Sequence, residues 1–109
     1  MMKRFLPSVV VALVLFTGCA PHFHTIRGDG VHLYLRAPSA GEVFFASSLD
    51  GYASHPATKN DRGVWEYSVP AQREFRYFYI VDGQVFVPPC RLREQDDFGS
   101  ENCVYFPDL

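Results

Sequence analysis

The sequence of 109 residues lacks the residue groupings on which most enzymes depend. It has no CxxC pair, no glycine-rich phosphate loop and no cluster of metal-binding side chains. His32 and His55 have no clear nucleophile partner, so neither a Ser-His-Asp nor a Cys-His set stands out. Asp96 and Asp97 are chain neighbours, which on an extended segment point to opposite faces and cannot form a facing acid–base pair. The sequence therefore predicts a protein that is not an enzyme and uses no cofactor or metal.

Basic residues are also few. Ten Lys and Arg stand against twelve Asp and Glu, which gives a formal net charge of -2 at pH 7. Two of the ten basic residues lie in residues 1–18, so the remainder of the chain has eight against twelve. An acidic surface does not attract nucleic acid, and we expect no nucleic-acid partner.

The one long apolar run lies at the N-terminus. Lys3 and Arg4 precede a nearly continuous apolar stretch over residues 5–16, and small residues then lead to Cys19. This order is typical of a secretion signal. As a helix, a run of about a dozen residues spans only ~18 Å, short of the ~30 Å hydrocarbon core of a membrane. We predict that residues 1–18 are a signal peptide that is removed.

The segment from Leu15 to Cys19 resembles the bacterial lipobox, in which the cysteine directly after the cut is acylated. Phe16 departs from that pattern, which usually has an aliphatic residue there. Several acyl chains on Cys19 would anchor the protein stably to a membrane surface. We therefore expect a lipid-anchored protein of the cell envelope. If the cell is Gram-negative, the outer membrane is favoured, because Ala20 rather than Asp follows the cysteine. The alternative is an ordinary signal peptide with Cys19 as a spare thiol.

The chain has three cysteines, an odd number that needs an explanation in an exported protein. If Cys19 carries lipid, Cys90 and Cys103 remain as a pair, and an oxidising envelope favours a bridge between them. In the chain-entropy model, a disulfide that closes a loop of this size stabilises the folded state by about 3 kcal/mol. We predict the disulfide Cys90–Cys103; the alternative is two unpaired buried thiols.

Removal of the signal leaves 91 residues, enough for one domain. Residues 19–30 have a proline, two glycines and no apolar period, and we interpret them as a lipid-anchored tether. His22 and His24 form an HxH pair with no third metal ligand evident, so we take them as tether residues. The predicted domain covers residues 31–109.

Short alternating segments separated by turn signals run through this domain. They predict six strands, at residues 31–36, 42–46, 64–69, 75–81, 84–87 and 102–106, the last of them at a sheet edge. We expect residues 47–63 to be mostly loop and residues 91–99 to be a charged, solvated loop. Asp82-Gly83 predicts a two-residue hairpin turn. No window shows a sustained helical period and there is no internal repeat, so we expect an all-β sandwich with an immunoglobulin-like layout.

Four motifs occur in an order that resembles carbohydrate-binding module family 48. They are the Ala37-Pro38 turn, the Gly63-Val64-Trp65 strand opening, the Tyr77 to Gly83 hairpin, and Asp97-Phe98-Gly99 with Asn102. That family includes the glycogen-binding domain of the AMP-activated protein kinase β subunit and the early-set domains before isoamylase and branching-enzyme barrels. The resemblance covers about residues 29–106. It implies an early-set β-sandwich of about seven strands that binds α-glucans or serves as a spacer beside a catalytic domain.

The resemblance also implies candidate site residues. Glycogen binders of the family use two tryptophans, a lysine and an asparagine. Tyr52 corresponds to the first tryptophan and Asn102 to the asparagine, whereas Val85 replaces the second tryptophan and Phe78 replaces the lysine. One stacking surface and one charged donor are therefore missing from the family pattern. The single tryptophan, Trp65, matches a structural position.

The strand 75–81 adds further candidates. Arg76, Phe78 and Ile80 alternate with its tyrosines and are expected to face outward. An apolar patch rimmed by a charge marks a contact site, unless other parts of the chain cover it. We predict α-glucan binding through these three residues with Tyr52 and Asn102. The alternative is an envelope module that binds protein or is structural and has lost the sugar site. A shallow groove bordered by Tyr52 and Asn102 would favour sugar, and a flat apolar patch would favour protein.

Overall fold

The computed structural model describes residues 21–107, so the predicted signal peptide at residues 1–18 and the lipidation site Cys19 lie outside the described residues. The described residues contain ten strands: β1 (His22–Arg27), β2 (Gly30–Arg36), β3 (Val43–Ser47), β4 (His55–Pro56), β5 (Thr58–Lys59), β6 (Val64–Pro70), β7 (Phe75–Val81), β8 (Gln84–Phe86), β9 (Arg93–Gln95) and β10 (Glu101–Tyr105). A single-turn 3-10 helix, Ser48–Asp50, follows β3. Within this part of the chain, no helix has the length and apolar character needed to cross a membrane.

The strands form two antiparallel sheets packed face to face. Sheet A has the order β1-β2-β6-β5, and sheet B has the order β4-β3-β7-β10-β9, with β8 also paired to β7. The prediction of an all-β sandwich is confirmed. The predicted Asp82-Gly83 hairpin joins β7 to β8, with both residues at positive φ of 48° and 84°, as a tight turn between antiparallel strands requires.

The core lies between the sheets and follows the alternation seen in the sequence. Val31, Leu33 and Leu35 of β2 are buried, and Phe75, Tyr77 and Tyr79 of β7 face them from the other sheet. Phe45 stacks between these layers on Tyr67, with ring centroids 4.9 Å apart. Because the odd-numbered side chains of β7 fill the core, the even-numbered ones point to the outer surface of sheet B.

Trp65 is buried in sheet A and has a structural role, as its match to a structural position implied. Its Nε1 donates to the Ala37 carbonyl oxygen at 3.0 Å. Gly63, just before it, has φ of +77°, and a Cβ at that position would lie 2.6 Å from the Pro38 Cβ. The turn before β6 and the turn after β2 therefore touch where only a glycine fits.

Part of the predicted tether is a strand instead. His22–Arg27 pairs with β2 over six consecutive residues, so residues 22–27 are not an irregular linker. His22 packs against Tyr77 and Tyr79 with centroid distances of 5.7 and 5.6 Å, and His24 meets Tyr105 edge-on at 5.6 Å. Burial, with a smaller contribution from His24, lowers the pKa of His22 to about 4. The sequence pattern missed this strand because histidines occupy positions on its inward face.

Two further expectations need correction. The last strand was expected at an edge, but β10 lies inside sheet B because the charged segment before it forms β9 and pairs with it. The segment 47–63, expected to be mostly loop, contains the 3-10 helix and the short strands β4 and β5.

The predicted disulfide is present: Cys90 and Cys103 are bonded, with a Cα–Cα distance of 5.9 Å. It joins the segment after β8 to the middle of β10.

Candidate functional site

An open depression of about 410 Å³ lies on the outer surface of sheet B. We call it the groove; it is lined by Tyr52, Phe78, Asp96, Asp97, Phe98 and Asn102. Three parts of the chain build it: the turn after the 3-10 helix, the middle of β7, and the loop that leads into β10. Three of the five predicted site residues, Tyr52, Phe78 and Asn102, therefore lie together.

Tyr52 reaches the groove through an unusual backbone conformation. Its φ is +67°, and the preceding Gly51 has φ of +73°. The Tyr52 amide donates to the Ser47 carbonyl oxygen at 2.7 Å, which closes the turn after β3. The phenol ring then lies nearly parallel to the ring of Phe78, with centroids 5.6 Å apart and planes 14° apart. A left-handed conformation is costly for an aromatic residue, and such conformations cluster at functional sites.

Phe98 lies at the rim of the groove with 94% of its surface exposed. Hydrogen bonds within its loop hold it there. The Asp96 carboxylate accepts hydrogen bonds from the amides of Phe98 and Ser100, at 2.9 and 3.0 Å. The Asp96 amide donates in turn to the Ser100 carbonyl oxygen at 2.8 Å. The fold thus holds a large apolar ring in solvent next to the Tyr52–Phe78 pair.

Asn102 lies at the floor of the groove, 8% exposed. Its side-chain amide makes no hydrogen bond within residues 21–107, although its backbone pairs with Glu94 in the ladder between β10 and β9. Among the described residues the Tyr79 hydroxyl is the side-chain group sealed from solvent without a partner, so the Asn102 amide is still reached from the groove. An unpaired amide that borders the groove is therefore available to a ligand there.

The other two predicted residues do not line the groove. Arg76 Nε and Nη2 donate to the Glu94 carboxylate at 2.7 and 3.0 Å, and its Nη1 donates to Glu74 at 2.7 Å. These two carboxylates raise the pKa of Arg76 and neutralise its charge locally. Ile80 pairs across the strands with Phe44 and Val85, away from the groove.

Asp97 and Phe98 were missed as site residues, although both belong to a motif that carried the family resemblance. The charges of this segment indicate a solvated loop and give no sign of a binding site. A usable signal was present: an aspartate two residues before an aromatic residue and three before a glycine, Asp96 to Gly99, is typical of a side-chain-stabilised turn that exposes the residue between them.

A second depression of about 210 Å³ contains an Asp–His pair at the open edge between the sheets. Asp50 accepts a hydrogen bond from His55 Nε2, which lowers the pKa of that carboxyl, and the His55 ring stacks on Tyr67 at 5.6 Å. No serine or cysteine forms a hydrogen bond with His55 in the described part of the chain, and no group of three or more potential metal ligands occurs there. The pair fastens the 3-10 helix to β4.

No family model matches the sequence, and no curated protein matches it. Solved structures do match. A pullulanase from an Anoxybacillus species is 19% identical with a TM-score of 0.57 over 87% of this chain. The Group B Streptococcus pullulanase SAP in complex with maltotetraose is 18% identical with a TM-score of 0.54 over 84%. This chain spans about 14 to 15% of those enzymes, so the likeness shows the fold of one small domain in them.

Proposed function

We propose that this protein is a non-catalytic module that binds an α-glucan in the groove. One observation carries the proposal: exposed aromatic rings and the unpaired amide of Asn102 line the same open depression. Sugar recognition needs flat aromatic faces for the apolar side of a pyranose ring and a few polar groups for its hydroxyls. This is the geometry expected for sugar rather than a flat apolar patch.

Each of these groove-lining side chains has its own role in the proposed sugar binding. The ring of Tyr52, backed by Phe78, offers one stacking platform, and Phe98 offers a second ring in the lining of the same groove. Two platforms suit two sugar units of one chain. The Asn102 amide can both donate to and accept from sugar hydroxyls.

The choice of α-glucan is supported by the fold neighbours. They are pullulanases, and one of those structures contains maltotetraose. The sequence resemblance to carbohydrate-binding module family 48 points to the same ligand class.

The proposal includes attachment to the cell envelope. Its support is the signal-like segment at residues 1–18 and the lipobox-like ending at Cys19. Lipid on Cys19 would place the module on a membrane surface, the outer membrane in a Gram-negative cell.

A protein-binding or structural role is the second candidate, and one feature favours it. Val85 and Phe86 of β8 are 66% and 39% exposed, next to Ile80 on β7. This apolar strand lies outside the groove and could contact an envelope protein without any sugar.

The direct test is titration of the full-length chain with maltotetraose, in a detergent without a sugar headgroup. Tyr52→Ala and Phe98→Ala should each weaken binding by about tenfold, which corresponds to a loss of about 1.4 kcal/mol. The matched control is Phe23→Ala, because Phe23 is a similarly exposed ring, 42% against 39% for Tyr52, stacked on Tyr34 of sheet A. Absence of binding, or equal losses in all three variants, would contradict the glycan proposal.

A further inference from the structure

The charged side chains that line the groove are all negative. Its six lining residues include two carboxylates, Asp96 and Asp97, and no cationic side chain. Arg76 lies on the same surface of β7 as Phe78, but its guanidinium is held between Glu94 and Glu74. One cation between two carboxylates leaves net negative charge, so Arg76 offers no positive group to a ligand.

The two carboxylates of the groove differ in what they do. Asp96 holds its own loop together through the amides of Phe98 and Ser100. Asp97 has no side-chain hydrogen bond and no ion pair among residues 21–107, so both of its oxygens are open to solvent or to a ligand.

Asn102 provides an independent indication that the groove can hold a ligand. The residue as a whole is more than nine-tenths buried and lines the groove, and its side-chain amide, which solvent still reaches, lacks a protein partner in the described chain. An amide is neutral and can bond to hydroxyls of any sugar, whereas the free carboxylate beside it distinguishes ligands by charge.

We infer that the groove selects glycans by charge: it favours sugars that carry a free amino group over neutral ones and rejects anionic sugars, with Asp97 as the residue that sets the preference. This inference rests on the proposed function, since it names the class of glycan for the same groove. An ammonium group on a sugar stacked at Tyr52 or Phe98 pairs with the Asp97 carboxylate. A carboxylate on the sugar is repelled by Asp97 and has no cation in the lining to bind it.

The test uses three α-1,4-linked tetrasaccharides that differ only in charge. They are maltotetraose, its derivative with amines at C6, and its derivative oxidised to carboxylates at C6. The full-length protein should bind the aminated ligand about 1.5- to fivefold more tightly than maltotetraose, the range for one exposed ion pair, and the oxidised ligand more weakly by at least as much. Both differences should shrink in 1 M salt, where the screening length is about 3 Å.

Asp97→Asn should make the affinities for the three tetrasaccharides nearly equal. Asp61→Asn is the matched control, because Asp61 is an exposed carboxylate in the turn before β6 in the other sheet, and it should keep the preference. Equal affinities in the unaltered protein, or a preference that survives Asp97→Asn, would overturn the inference and leave α-glucan binding intact. Failure to bind any of the three would refute the proposed function itself, and the inference with it.

Discussion

The ring of Tyr52 lies over the ring of Phe78 although the two residues come from separate parts of the chain, a turn after β3 and the middle of β7. The contact exists because Tyr52 adopts a backbone conformation that ordinary residues avoid, at φ +67°. In the resemblance noted in the sequence, Phe78 corresponds to a lysine. An apolar residue on the outer surface of β7 therefore supports the platform from below.

The strained backbone of Tyr52 gives the first prediction. Tyr52→Gly should leave the free energy of unfolding unchanged or raise it by up to about 1 kcal/mol, because glycine accepts positive φ at no steric cost. The same change should abolish the aromatic platform and weaken maltotetraose binding. Denaturant unfolding and ligand titration of one variant measure both effects. A clear loss of stability would show that the ring contributes mainly to folding.

Two glycines with similar positive φ form a matched pair for a second prediction. Gly83→Ala adds a methyl group in open space at φ +84°, and should cost about 1 to 2 kcal/mol from backbone strain alone. Gly63→Ala adds the same strain at φ +77° and also forces the methyl group against Pro38. Its cost should exceed that of Gly83→Ala by about 1 to 3 kcal/mol, as overpacking does. Equal urea midpoints for the two variants would contradict the contact.

Removal of the disulfide should lower stability and also weaken the groove. Cys90 and Cys103 are 13 positions apart, and a bridge over such a loop contributes about 3 kcal/mol. For a domain of this size that corresponds to a fall in Tm of about 12 °C or more, measured for the double alanine variant. The segment between the two cysteines carries Asp96 to Phe98, so maltotetraose binding should weaken as well. An unchanged Tm would show that packing alone holds this segment.

His22 should make the protein sensitive to acid. Burial lowers the pKa of His22 from its ordinary 6.5 to about 4, so between these pH values the unfolded chain takes up a proton that the folded chain refuses. Stability should therefore fall by up to about 3 kcal/mol as the pH drops from 7 to 4, with no further loss from this group below that.

His22→Phe isolates this contribution, since phenylalanine keeps the ring contacts with Tyr77 and Tyr79 and cannot be protonated. The difference in unfolding free energy between variant and unaltered protein should grow in favour of the variant between pH 6.5 and 4. Asp50 and Glu94, whose pKa values are lowered by His55 and Arg76, affect both proteins alike and cancel in the difference. A constant difference across that range would refute a buried neutral His22.

The single tryptophan gives a fifth prediction. Trp65 lies in sheet A, 7% exposed and bonded to Ala37, away from the groove in sheet B. Its fluorescence should respond to unfolding and should not change when maltotetraose saturates the protein. A spectral change on binding would place the ligand against the other sheet.

The fold was accessible from the sequence wherever apolar residues alternate. The buried rows of β2 and β7 follow that rule, and the Asp82-Gly83 turn marks its hairpin directly. β1 was missed because histidines make its inward face look polar, although an imidazole ring packs well against tyrosines. The inner position of β10 was missed because β9 is charged, and a short charged strand is recognisable only once its partner is known.

The groove could be predicted in part for similar reasons. Tyr52, Phe78 and Asn102 are residues to which the sequence resemblance points. The exclusion of Arg76 depends on Glu94, eighteen positions away, and the sequence does not show that pairing. The exposure of Phe98 depends on the hydrogen bonds of Asp96, a local signal that could have been used.

The strand β1 also determines how the protein would respond to mechanical tension. With Cys19 acylated as proposed, only Ala20 and Pro21 lie between the attachment point and His22. A pull on a long glycan held in the groove would therefore reach β1 across only two residues. Because the hydrogen bonds of an antiparallel pair run perpendicular to the strands, the component of this pull along β1 loads the six residue pairs between β1 and β2 together. The hydrogen bonds between β1, the edge strand of sheet A, and β2 would then carry the force between the lipid anchor and the rest of the domain.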